Sequence, residues 1–195
     1  MSRPRHRLAP ALLMMVVLTG LPRAPLRAQS AVNDSAEFAD WRQVQKEDID
    51  GLRKKFMALA KAVPADKLAW RPMEGTRSFR EVFAHVAAEG NTETAMFGQP
   101  LPAGSVADFD AEEARLKKLP DDQLIAAMDR AMQSLSATLG GLTRAKINTP
   151  IRYYGQSTLP RAATTYTLND LHEHLGQLVA YARMNTIVPP WTRKA

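Results

Sequence analysis

Asp170-Leu-His-Glu-His174-Leu-Gly-Gln177 lies inside a long apolar-periodic run near the end of the 195-residue chain. Leu168, Leu171, Leu175, Leu178 and Ala182 recur at the three-to-four-residue interval of one helix face, which predicts a helix from about 161 or 162 to 185. Asp170, His174, Gln177 and Tyr181 form a second stripe beside the first. Residues four apart point the same way on a helix, so Asp170 and His174 present a carboxylate and an imidazole together. Both are metal-ligand types when suitably ionised. His172 faces nearly the opposite way, and Val188-Pro189-Pro190 stops the helix.

Three further helical patterns precede this one. The first spans about 37–63, with Phe38, Trp41, Val44, Ile49, Leu52, Phe56 and Leu59 on its apolar stripe, and Pro64 ends it. The second spans about 79–97. Ser78 is its N-cap with Glu81 as capping-box partner, and Phe79, Val82, Phe83 and Val86 cluster on one face. His85 sits at the edge of that face, with Glu89 one turn on. A Gly/Pro-bearing loop separates it from a short helical piece near 110–118. A helix from Pro120 to Leu139 comes next, favoured by Asp121 and Asp122 at its positive end and closed by Gly140-Gly141. The stretch 143–160 reads as an extended loop in preference to a hairpin, and its aromatic residues are candidates for a partner surface. Four amphipathic helices without persuasive strands predict an all-α, up-down four-helix bundle with long interhelix loops. Trp191 is expected to pack down on it.

The N-terminus has a different character. Arg3, Arg5 and Arg7 precede a mostly apolar run of 14 residues from Leu8 to Leu21, followed by small residues. This is the pattern of a signal peptide over 1–28, cut after Ala28 or Ser30, and leaves a single domain at 29–195. The leader holds five Arg and no acid, so the remainder carries 21 Lys+Arg against 20 Asp+Glu. The basicity belongs to the leader, and no nucleic-acid footprint is left. Nor is stable membrane association expected once the leader is removed. The chain has no cysteine, which excludes a disulfide framework, a thiolate metal site and a cysteine nucleophile. The localisation expected is export, to a bacterial periplasm or beyond.

By spacing alone, a lone histidine on an apolar face is a core-edge residue with one hydrogen bond, and an i,i+4 pair is unspecific. Larger blocks of sequence say more. Val63-Pro64-Ala-Asp-Lys-Leu68, Trp70-Arg-Pro72, Gly75-Thr-Arg-Ser78-Phe-Arg-Glu-Val-Phe-Ala-His85-Val-Ala and His172-Glu-His174-Leu-Gly-Gln177 through Asn185, with Pro189-Pro-Trp191, occur in that order. In these blocks the chain resembles the DinB-like family of metal-binding four-helix bundles. The resemblance implies a divalent metal bound by one histidine of the second helix and two from an HxxxH pair on the last. Carried onto this chain, those positions fall on His85, Asp170 and His174, so an aspartate stands where the family has a histidine. Such a His2Asp set accepts Zn, Ni, Mn or Fe(II), and Glu89 is a neighbouring carboxylate or general base, or else a solvated glutamate. Tyr181 and Gln177 are read as orienting groups, with interhelical hydrogen bonding the simpler reading for Gln177.

The resemblance further implies either of two functions. One is a metal-dependent hydrolase or thiol-using transferase acting on a small molecule, the transferase being discounted for an exported protein. The other is a non-catalytic binding or stress-related bundle with a vestigial or structural metal site. Homodimerisation through helix faces is a further expectation.

Overall fold

The computed structural model describes residues 26–192, with side chains from Ser35 onward. Most of the leader expected over 1–28 therefore lies outside the described residues. The chain divides into two units at Ala36/Glu37. Helix α1, Leu26–Ala62, crosses that point and starts well before the expected 37. The larger unit, from Glu37, holds the core and the residues of chemical interest.

The described residues are mostly helical: α1 is followed by α2 (Phe79–Met96), α3 (Phe109–Leu116), α4 (Asp121–Gly140), the single turn α5 (Arg144–Ile147), a hairpin of β1 (Ile151–Tyr153) and β2 (Gln156–Thr158), and α6 (Pro160–Met184). Ile49, Leu52, Phe56 and Leu59 of α1 are fully buried, as are Phe79 and Phe83 of α2, Met128, Met132 and Leu135 of α4, and Leu171 and Leu178 of α6, in one core. Val44 of the expected α1 stripe is instead exposed. Trp191 also remains partly in solvent, on a terminal 3-10 turn, rather than packing down. Among the described helices none is long and apolar enough to cross a membrane.

Helix α2 begins as its sequence dictates. The Ser78 hydroxyl accepts the Glu81 N–H, and the Glu81 carboxylate accepts the Ser78 N–H, which satisfies two backbone donors that the helix start leaves over. Beyond the cap, α2 departs from the expected amphipathic helix. From Val82 to Thr94 every residue is buried, because α4, α3, α6 and β1 all pack against it. Polar side chains are thereby carried into the interior, among them His85, Glu89, Asn91 and Glu93.

Two close fits fix α2 in place. A Cβ on Gly90 would lie 2.9 Å from the carbonyl carbon and Cβ of Ala131, so the absence of a side chain sets the approach of α2 to α4. On another side Glu112, fully buried in α3, accepts from Asn91 Nδ2 (2.8 Å), the Val106 N–H (3.0 Å) and the Arg115 guanidinium. Burial alone would raise the Glu112 pKa, but Arg115 and these N–H donors pull it down to about 2.

The stretch 143–160 is folded rather than looped. Ile151 pairs with Thr158, Arg152 with Ser157 and Tyr153 with Gln156, antiparallel. The two-residue turn has φ +44° at Tyr154 and +79° at Gly155, the left-handed pair of a type I′ hairpin. A tyrosine in that region costs on the order of 1 kcal/mol or more.

Gly90→Ala is expected to lower stability by about 1–3 kcal/mol, since the added methyl meets backbone on α4 and helix propensity returns less than it takes. Urea unfolding of the variant beside the wild type measures this, and an unchanged midpoint would show that α2 and α4 are not held at this contact.

Candidate metal centre

One turn separates His85 from Glu89 on α2, and one turn separates Asp170 from His174 on α6. Where the two helices face each other, the four side chains meet. One ligand-type atom from each lies within 4.8 Å of those of the others. His85 Nε2 is 3.2 Å from Glu89 Oε1, His174 Nε2 is 3.6 Å from the same oxygen, and His174 Nε2 is 3.7 Å from Asp170 Oδ2. The imidazoles stand edge to face, 4.6 Å between centroids.

All three residues expected from the sequence are thus brought together. Glu89, 3 % exposed, is not a solvated glutamate, and its carboxylate stands among the ligand-type atoms of the cluster. Its i,i+4 spacing from His85 was the available signal. What spacing could not reveal was that α2 is buried on the side Glu89 occupies.

The atoms beyond the cluster orient it. His174 Nδ1 donates to Gln177 Oε1 at 3.3 Å, and Gln177 Nε2 donates to the Tyr181 hydroxyl at 2.8 Å. Gln177 therefore works within α6 and not between helices. With the Gln177 amide nitrogen given to Tyr181, Oε1 accepts from Nδ1–H, so it is the neutral form of His174 that presents an Nε2 lone pair to Glu89 and Asp170. His85 Nδ1 lies 3.4 Å from Glu113 Oε2, and Lys117 and Arg77 hold that carboxylate from the other side. Burial would raise the Glu113 pKa, but Lys117 and His85 keep it below its usual range. His172, on the far face of α6 as expected, pairs with Asp48 at 3.0 Å.

The charges are strongly coupled. Burial opposes ionisation of Glu89, yet the two imidazoles and a hydrogen bond with Asp170 hold its pKa far below the ordinary glutamate value. Asp170 bears the consequence: its hydrogen bond to Glu89, then its burial, push its pKa up to about 7. Burial also disfavours the charged form of His174, but Glu89 and Asp170 outweigh it and raise its pKa.

The donor set fits a divalent cation. His174 Nε2 and Glu89 Oε2 are buried without a hydrogen bond, a condition that buried polar atoms rarely tolerate unless something else binds them. Bonds of about 2.0–2.1 Å place tetrahedral ligand atoms about 3.3 Å apart, close to the separations of 3.2, 3.6 and 3.7 Å found here.

Beside the centre opens a cleft of about 410 Å³, lined by Glu93, Tyr153, Tyr154, Tyr166, Asn169, Asp170 and Glu173. The hairpin tyrosines are thus not simply an exposed surface patch. Tyr153 is buried, and its hydroxyl donates to Glu93 Oε1 at 2.7 Å, while the half-exposed Tyr154 donates to the same oxygen at 3.3 Å. Burial and the nearby Glu93 charge push both phenols well above their usual pKa, so they remain donors. Glu93 itself, 2 % exposed, is pushed up to about 8, by burial first and by the Glu89 charge second. It escaped the sequence reading because it bears no motif spacing to a histidine.

The family model described as the DinB superfamily covers residues 48–178, and the chain belongs to that superfamily. No curated protein matches the chain.

Glu93 makes stability depend on pH in a definite direction. Its folded pKa is about 8 against 4.5 for an ordinary glutamate, so the unfolded chain releases this proton first. Stability is fully present below about pH 4.5, falls as pH rises towards 8, and then levels. Glu93→Gln is expected to abolish that component. Urea midpoints of wild type and variant should therefore diverge in the variant's favour across this window and run parallel outside it.

Proposed function

We propose that His85, Glu89, Asp170 and His174 hold one divalent cation, Zn, Ni, Mn or Fe(II), and that the protein is a metal-dependent hydrolase of a small substrate bound in the adjoining cleft. The observation that carries this reading is the convergence of four ligand-type side chains, with His174 Nε2 and Glu89 Oε2 buried and lacking hydrogen bonds. A cation at this point supplies positive charge that polarises a substrate carbonyl and eases deprotonation of water.

The chain's own groups divide the remaining work. Gln177 fixes the orientation of the His174 ring through Nδ1, and the Glu113 carboxylate lies 3.4 Å from His85 Nδ1 on the side turned away from Glu89. Glu89 offers one carboxylate oxygen to the cation and serves with the other as the base that takes a proton from the attacking water. Asp170, whose side chain is 47 % exposed, stands at the boundary between cluster and cleft. The four long helices α1, α2, α4 and α6 are read as the up-down bundle that carries these groups. The Arg-rich start and the apolar run from Leu8 to Leu21 support export to a periplasm or beyond.

A second reading has one observation in its favour. Asp170 replaces the family's histidine and keeps its proton to about pH 7, which competes with a cation. That favours a non-catalytic protein with a vestigial site.

Protein purified from an exporting host without added metal is expected to contain one divalent ion per chain by mass spectrometry. His85→Ala and His174→Ala should abolish it and Asp170→Asn should reduce it, each variant remaining helical. Added metal at 100-fold over Kd should raise wild-type stability by about 2.7 kcal/mol, with no such gain in His174→Ala. A wild type that neither contains nor responds to metal overturns the proposal.

A further inference from the structure

Glu93 is a buried carboxyl that the cluster does not use. It lies one helical turn beyond Glu89, on the same side of α2. Oε1 receives two hydroxyl donors, Tyr153 and Tyr154, and the second of these is delivered from a backbone conformation that a tyrosine seldom adopts. Oε2 is buried with no hydrogen bond, in a residue that lines the cleft.

These facts distinguish the two oxygens. When the acid is protonated, the oxygen that already accepts two O–H bonds is its carbonyl oxygen, so the proton sits on Oε2. A bare, buried, ionised oxygen would be costly, whereas a buried O–H needs only an acceptor. Oε2 itself makes no hydrogen bond, although the Thr167 hydroxyl stands beside the carboxyl and 3.1 Å from the Tyr153 hydroxyl. Among the described residues no Lys or Arg lines the cleft, whose other charged residues are Asp170 and Glu173. The raised pKa of Glu93 agrees, and burial is its larger cause.

We propose that Glu93 is a catalytic acid, donating from Oε2–H to an acceptor oxygen or nitrogen on the leaving group of an uncharged ester or amide bound in the cleft. The acid role rests on the hydrolytic reading of the neighbouring cluster. The step balances without a co-reactant. Water oxygen adds to the acyl carbon, the bond from carbon to the leaving group breaks, and the leaving atom takes the Oε2 proton. Glu93 is left as carboxylate, held by the two tyrosine hydroxyls, and regains a proton from the one the water gave up. Substrate and water become acid and alcohol, or acid and amine.

Infrared difference spectroscopy on the metal-loaded protein at pH 7 reads this directly, with benzamide as the acceptor probe and toluene as a ring of similar size without an acceptor. A protonated-carboxyl band that vanishes in Glu93→Gln and moves to lower frequency on adding benzamide, but not toluene, is the expected result. Tyr153→Phe, which removes one donor from Oε1 and leaves Glu93 in place, should shift the band without abolishing it, and so serves if Glu93→Gln does not fold. Absence of a Glu93-dependent band, a band unmoved by benzamide, or an equal shift with toluene overturns the assignment. Metal content measured on the same samples separates the two proposals: a responsive band without metal defeats the metal-dependent reading and the catalytic role that rests on it, and metal with an unresponsive band defeats only the role of Glu93.

Discussion

Two glutamates on one helix, Glu89 and Glu93, are carried into a region where almost no water reaches them. A buried carboxylate has to find a cation, find hydrogen-bond donors, or keep its proton. The two take different courses. Glu89 is met by His85 from its own helix and His174 from α6, and stays ionised. Glu93 is met by phenolic hydroxyls and stays largely protonated near neutrality. The same helix thus offers an anionic base and a neutral acid one turn apart, and their environments keep them from exchanging roles.

The rest of the architecture serves to make that burial tolerable. Gly90 allows α4 to close against the α2 backbone right beside Glu89. Glu112 anchors α3 and the preceding loop through Asn91 and Val106. Its neighbour Glu113 turns the other way, towards His85. Short α3 is therefore part of the site's support, with one acid satisfied within the scaffold and the next orienting a ring. Away from the chemistry, Arg53 of α1 makes paired hydrogen bonds to Asp129 of α4 at 2.7 and 3.1 Å, which join those two helices.

Much of this was legible in the chain. The Ser78/Glu81 cap, the α6 leucine stripe and the parallel stripe of Asp170, His174, Gln177 and Tyr181 follow from local periodicity, and all reappear in the fold. Local periodicity failed where burial depends on remote segments. The polar residues of α2 look like a solvent face until α3, α6 and the hairpin cover them. The hairpin itself was hidden because its turn is Tyr154-Gly155, not the Asn-Gly or Asp-Gly that announces a type I′ turn. The tyrosine is unfavourable there for the backbone, and its hydroxyl bond to Glu93 gives it a reason to be present.

The hairpin also divides labour along the chain. The atoms suited to holding an ion come from two long rods, and most of the cleft wall comes from α6 as well, whereas Tyr153 and Tyr154 reach it from a short β-ribbon, 151–158, set between α5 and α6. Changes in that ribbon can reshape what the cleft admits without disturbing the rods. In such a molecule the part of the wall that the turn supplies can vary while the helices that carry the cluster stay as they are.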